Sequence, residues 1–348
     1  MSLVGSLMPG FVGEYDGRID RNELRTPELG AWKLFQDQNK HPLNILSRVN
    51  RQAIKNSFGN TVSMPVMDAG NVVIRNVRSC VVPDAENTSK LITLNFATYV
   101  FGFTMTKHQH HNNKISYEED FNRKLLEGLL ALGNILETNS INKLEIEKNQ
   151  FFDAQTASFY PAVNGALQVS AAQAEDFYNT LSAVVRTMNF GGNVDVLSNN
   201  AALPMINRLR AQGNQNGINQ AFQFNGLNLD YFSNQLLNDT GVRSTHFVVP
   251  GGMLAVENRN DPDAVAGETI GELKEWGTEF MPIVNLEMGT YYYQDCADRS
   301  ALHAGTTGLT RTKLEGFEFS TDVVWVTPYN SSPANKYSPI LKVEVSNT

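Results

Sequence analysis

The chain has 348 residues, 41% hydrophobic and 18% charged, enough apolar material to bury a sizeable core and to exclude disorder as its main state. Lys and Arg total 28 against 36 Asp and Glu, a formal net charge of -8 with no block of like charges, so the usual electrostatic source of sequence-independent grip on a phosphate backbone is missing. Two cysteines, Cys80 and Cys296, exclude a disulfide-dense scaffold and a four-cysteine zinc site, and no apolar run approaches the roughly 18 to 20 residues of a membrane span or reads as a secretory leader, so the expectation is synthesis in a reducing cytoplasm with no membrane.

Residues 1–56 lack a steady hydrophobic period and carry Gly5, Gly10, Gly13, Gly17 and Gly30, which reads as an extended arm. Within it, Pro27 suits a first helical turn and Leu29, Trp32 and Phe35 share one face, so a short helix over 27–38 is expected to dock through Trp32 and Phe35. Residues 57–82 read as a long hairpin. Thr61 to Val66 forms one strand, Asp68, Ala69, Gly70 and Asn71 supply the reversal, and Val72 to Val77 returns. Met64, Val66, Met67, Val72 and Ile74 load this ribbon with more apolar surface than two strands can hide, and an isolated ribbon is marginal in water. The alternative is an ordinary hairpin over its own core.

Residues 90–106 alternate Leu91, Thr93, Asn95, Ala97 against Ile92, Leu94, Phe96, then continue through Tyr99, Phe101 and Phe103, which predicts one long strand bent at Gly102. Ser116 with Glu119 three residues on is a capping box, and Phe121, Leu125, Leu129, Leu132 and Leu136 follow at helical steps. The pattern reaches toward Lys148, a rod of roughly 45 Å, and Gly128 and Gly133 inside it mark points of close packing. From about 150 helices alternate with strands: a helix over 171–188, a strand at 194–197, a helix through Met205, Ile206 and Leu209, a polar strand-like stretch at 222–229 and a strand at 245–249. Segments 281–293, 316–327 and 340–345 return to β character, so the central αβ lobe is expected to be inserted into a sheet built from sequence-distant strands.

His108 and His110 would share a strand face and could ligate zinc or nickel, but no third ligand is specified, and the run also reads as a solvated strand-to-helix turn. There is no GxSxG elbow, no phosphate loop and no dinucleotide fingerprint. Asp295 and Asp298 flank Cys296 and oppose thiolate formation. His246 and His303 could pair with carboxylates only through the fold. No catalytic, cofactor or metal residue is therefore predicted, and the chain is expected not to be an enzyme.

The order of arm, apolar hairpin, long strand, Ser116-Tyr117-Glu118-Glu119-Asp120-Phe121 opening a Leu-striped helix, αβ lobe and returning strands resembles the major capsid proteins of tailed bacteriophages with the Hong Kong 97 (HK97) type fold. The resemblance implies an α+β fold with an N-terminal arm (1–56), an extended loop (57–90), a peripheral domain with a long spine helix (91–150), an axial domain (151–280) and returning strands with a C-terminal segment (281–348). It implies self-assembly into hexamers and pentamers of an icosahedral head shell in the bacterial host cytoplasm. Such a virion capsid encloses double-stranded DNA without reading its sequence and has portal, scaffolding and decoration proteins as further partners. The subunit interface would then include Trp32, Phe35, Met64, Val66, Met67, Val72 and Ile74. Two rival readings are an encapsulin-like nanocompartment shell of the same fold and, in a different class, a metal-dependent enzyme using His108 and His110.

Overall fold

The computed structural model describes residues 4, 6–8, 11, 27–67, 89–106, 116–152, 154–174, 176–212, 223–224, 226–267, 269–270, 274–298, 311–329 and 337–347. In chain order the elements are α1 (Gly30–Gln38), α2 (Arg48–Lys55), β1 (Thr61–Met67), β2 (Ser89–Asn95), β3 (Ala97–Met105), α3 (Tyr117–Glu147), α4 (Ala154–Phe159), β4 (Ala162–Val163), β5 (Ala166–Val169), α5 (Phe177–Thr187), β6 (Val194–Asn199) and α6 (Leu203–Gln212). They continue with β7 (Gln223–Phe224), β8 (Leu227–Ser233), β9 (Val242–Pro250), β10 (Ala255–Arg259), α7 (Pro262–Ala266), β11 (Thr269–Ile270), β12 (Lys274–Met281), β13 (Leu286–Asp298), β14 (Arg311–Val326) and β15 (Leu341–Ser346). The class is α+β. Among the described residues no helix is long and apolar enough to cross a membrane.

The chain divides into two compact units, one of 1–29, 97–139 and 258–323 and a second of 30–96, 140–257 and 324–348. In the first unit β3 pairs antiparallel with β14, bringing residues about 220 positions apart into register, Phe101 opposite Phe319 and Phe103 opposite Phe317. This bears out the expectation of a sheet made from sequence-distant strands. The sheet order is β10-β14-β13-β12-β11, with β3 also on β14. Its inner face is aromatic: Phe101 stacks on Phe319 at 5.1 Å, and Phe121 from α3 meets Phe317 edge-on at 5.0 Å.

The capping box expected at Ser116 is formed: Glu119 N donates to Ser116 Oγ at 3.1 Å and Ser116 N donates to Glu119 Oε2 at 2.7 Å. α3 then runs for 31 residues. Gly128 is required by contact, since a Cβ there would enter the Phe101 ring, and Gly133 lies under Leu29, where a Cβ would come within 3.4 Å of either Leu29 methyl. Both glycines are the close-packing points the stripe predicts.

The second unit holds a seven-stranded sheet of order β4-β5-β15-β9-β6-β8-β7. β4 and β5 are joined by Asn164 and Gly165, both at positive φ, the two-residue reversal that these residue types favour. β15 lies between β5, to which it is parallel, and β9, to which it is antiparallel. Leu341, Val343 and Val345 thereby enter a core with Phe177, Leu181, Val184 and Val185 of α5. On the opposite face Lys342 pairs with Glu344 at 3.0 Å and with Glu145 of α3 at 3.4 Å, while Gln168 Nε2 donates to Glu344 at 2.7 Å.

Four expectations are corrected. The strand over 90–106 is two strands that break at Phe96, because β2 and β3 take different partners, β1 and β14; the β3 register with β14 runs through Gly102 without a shift. The partner of Thr61–Met67 is Ser89–Asn95; the turn expected at 68–71 and the strand at 72–77, with Val72 and Ile74, lie outside the described residues. The helix expected over 171–188 is a short 3-10 turn at 171–173 followed by α5. Residues 48–55, read as part of an extended arm, form α2, whose start is capped by Ser47 Oγ accepting from Asn50 N at 3.2 Å.

Candidate assembly surface

Among the described residues β1 and β2 form a two-stranded sheet in the second unit, with Thr61 opposite Asn95 and Met67 opposite Ser89. Each seven-residue strand satisfies one row of its backbone groups in this pairing, and the other edge of each has no strand partner among the described residues. What supports the ribbon is its inner face. Val62 is buried, and Met64 and Leu94 pack beside Leu46, Ile54, Ala255 and Val324. Beyond that base the same face lines a cleft of about 640 Å³ whose walls include Ile45, Met64, Val66, Ile92, Trp325 and Tyr329, with Lys143 and Glu147 paired at 3.4 Å on its border. The outer face carries Leu91, which is 73% exposed.

α2 lies under the ribbon base through Ile54 and is tied down by charge. Arg51 reaches Glu257 at 3.0 Å and Lys55 stands at 4.0 Å from it. Burial raises the Glu257 pKa, and the two cations oppose that rise. α1 is held by a second anchor: Gln38 Nε2 donates to Asp195 Oδ2 at 2.5 Å while its Oε1 accepts from Gly252 N and Met253 N. Burial raises the Asp195 pKa against the hydrogen bonds from Asn228 and Gln38.

These anchors change the reading of Trp32 and Phe35. Trp32 is 1% and Phe35 0% exposed within this chain alone, and Trp32 meets Trp325 edge-on at 6.2 Å, with Trp325 Nε1 donating to Ser140 Oγ at 3.0 Å. Both side chains are buried in the subunit's own core, because α1 folds onto its own chain. Met64 and Val66 are half-buried on the cleft, facing inward rather than away from the subunit. Met67 ends β1 opposite Ser89, and nothing is described of its side chain. Leu91 and Val100, the latter 55% exposed on β3, were not singled out as surface residues by alternation alone.

His108, His110 and His303 lie outside the described residues. His246 meets no carboxylate among the described residues. Its Nδ1 lies 2.8 Å from Ser198 Oγ and its Nε2 3.0 Å from Ser244 Oγ, beneath Phe177 and Tyr178. Burial lowers its pKa to about 3, so it is a neutral core imidazole. Among the described residues no group of three or more His, Cys, Asp or Glu side chains is placed to hold a metal ion.

No protein-family model and no curated protein matches the chain. Among solved structures it is similar to the capsid asymmetric unit of cyanophage Pam1, at 10% identity and TM-score 0.48 over 84% of this chain and 86% of that one. It is similar to the mature capsid asymmetric unit of bacteriophage PhiM1, at 9% identity and TM-score 0.46 over 83% of each. It is also similar to the capsid structure of cyanophage P-SCSP1u, at 11% identity and TM-score 0.45 over 83% of this chain and 84% of that one.

Proposed function

We propose that this chain is a shell subunit, the major capsid protein of a phage head, which assembles with copies of itself into hexamers and pentamers around double-stranded DNA. In this reading α3 is the spine helix, residues 57–90 are the extended loop and the seven-stranded sheet with its helices is the axial domain. The observation that carries the reading is the β1–β2 ribbon. It is sheltered on its inner face by its own subunit, but it presents Leu91 outward and leaves both edges without a strand partner among the described residues. Such an element gains most when laid against a neighbour in a closed assembly. The net charge of -8 is consistent with enclosing nucleic acid without gripping it.

Size-exclusion chromatography with light scattering, joined to metal analysis, tests this. Pentamers, hexamers or megadalton particles without stoichiometric metal are the expected result. A small oligomer carrying about one metal per chain would favour the enzyme reading and contradict this one.

A further inference from the structure

The six-stranded sheet packs one face on α3 and carries an aromatic shelf on the other. Tyr292 and Phe317 point inward with their rings 5.2 Å apart, so Tyr291 and Tyr293 point to the opposite face. Trp276 of β12 pairs with Tyr291 across the strands, and the two rings lie 4.8 Å apart at 31°. Tyr291 and Tyr293 stack at 5.6 Å and 25°. The rings lie flat because Tyr293 stands opposite Gly316, where a Cβ would enter its ring. All three rings are half-buried, which leaves part of each open to solvent. Ala264 of α7 closes the same face only farther along, at Gly289, where a Cβ would come within 3.1 Å of the alanine methyl.

The charge around the shelf selects its ligand. Apart from Asp322, which pairs with Arg259 at 2.9 Å, the charged side chains that strand alternation puts on this face among the described residues are Lys274, Glu287, Asp295 and Glu318, one cation against three carboxylates, and all are exposed. Glu318 stands directly opposite Tyr291, so one row across the sheet reads Trp276, Tyr291, Glu318. A flat ring beside a carboxylate suits a guanidinium, whose plane stacks on the ring while its fork of N–H donors takes both carboxylate oxygens. An ammonium is a point charge and gains less from this arrangement, and a phosphate is repelled by it. We propose that the shelf is a docking site for an arginine side chain presented by a separate, basic protein, with the guanidinium over Tyr291 and paired to Glu318. The net charge of -8 favours a basic partner over a second copy of the same acidic chain. The proposal goes beyond the shell reading and does not depend on it, since every residue of the shelf belongs to one unit of one chain.

The test titrates the full chain, as dissociated subunit and as particle, into two fluorescein-labelled peptides of equal length and charge, one carrying arginine and the other lysine, and follows fluorescence anisotropy. The arginine probe is expected to bind about fivefold more tightly than the lysine probe in both states. Trp276→Leu and Tyr291→Leu should each weaken the arginine probe about fivefold and remove its advantage over lysine. Glu318→Gln, an exposed change that leaves subunit melting as in the parent, should weaken it about threefold. Equal binding of the two probes would show only a general attraction to an acidic surface and overturn the proposal. So would a folded Glu318→Gln that binds arginine as the parent does, or binding by the subunit that disappears in the particle, which would mean that another copy covers the shelf. A chain that never assembles yet keeps the arginine preference would leave this proposal standing and contradict the shell reading instead.

Discussion

The two large sheets treat their edges in opposite ways. The seven-stranded sheet ends on β4 and β7, each of two residues; β7 pairs only with Leu227 and Asn228 of β8, and the rest of β8 lies against α1, where a Cβ on Gly30 would meet the Phe232 backbone. Its central strands are buried on both faces, down to the ion pair of Lys342 and Glu344. The six-stranded sheet carries nine-residue β3 on one flank, uncharged, with Val100 exposed. The β1–β2 ribbon has no flanking strand at all among the described residues. Short edges close a sheet, whereas long uncharged ones invite another strand. In the proposed shell the chain therefore divides into a region whose stability is its own and strands that would gain from a neighbour.

Variants on the two sides of that comparison should separate cleanly. The largest loss is expected from Phe177→Ala in the seven-stranded core, where a fully buried ring leaves a cavity and about 3–5 kcal/mol of subunit stability is lost in denaturant unfolding. Acid acts on the same core through His246. Its pKa is lowered to about 3 from 6.5, so the unfolded chain binds the proton first. The contribution of the neutral ring is fully present above pH 6.5 and is lost as pH falls toward 3, on the order of a few kcal/mol; His246→Gln should flatten this part of the stability profile. A profile as steep in the variant as in the parent would show that other groups set the acid limit.

Gly128→Ala comes next. Its methyl enters the Phe101 ring, which is held against Phe319 at 5.1 Å, and about 1–3 kcal/mol should be lost although alanine is the better helix former. The smallest effect on the subunit is expected from Leu91→Asp, within about 0.5 kcal/mol by thermal melting, because that side chain touches solvent. Its association should nevertheless fall. If Leu91→Asp destabilised the dissociated subunit as much as Gly128→Ala does, the contrast between self-sufficient and neighbour-dependent strands would be lost.

Local signals carried the long elements. Ser116 and Glu119 marked the start of α3, the leucine stripe marked its length, and β-branched alternation marked β3, β9 and β15. What stayed hidden depended on distant partners. The alternation through Phe96 is unbroken, so nothing in its period shows that β2 belongs to β1 and β3 to β14. The α2 sequence has only Val49, Ala53 and Ile54 as apolar residues among Arg, Asn, Gln and Lys, too few to make a stripe, although Ser47 was a readable cap. β12 mixes Lys274, Glu275, Gly277 and Glu279 and is a strand because β13 pairs with it along its whole length. Trp32 reads as a docking residue without a named partner, because that partner, Trp325, lies nearly 300 positions away.

Amide hydrogen exchange compared between dissociated subunits and assembled particles bears most directly on the central claim. The account predicts that Val100, Gly102, Leu91 and Thr93 exchange freely in the subunit and become at least a hundredfold slower in the particle, while the β6, β9 and β15 amides are slow in both states. Equal exchange at β2 and β3 before and after assembly, or protection there already in the monomer, would contradict it.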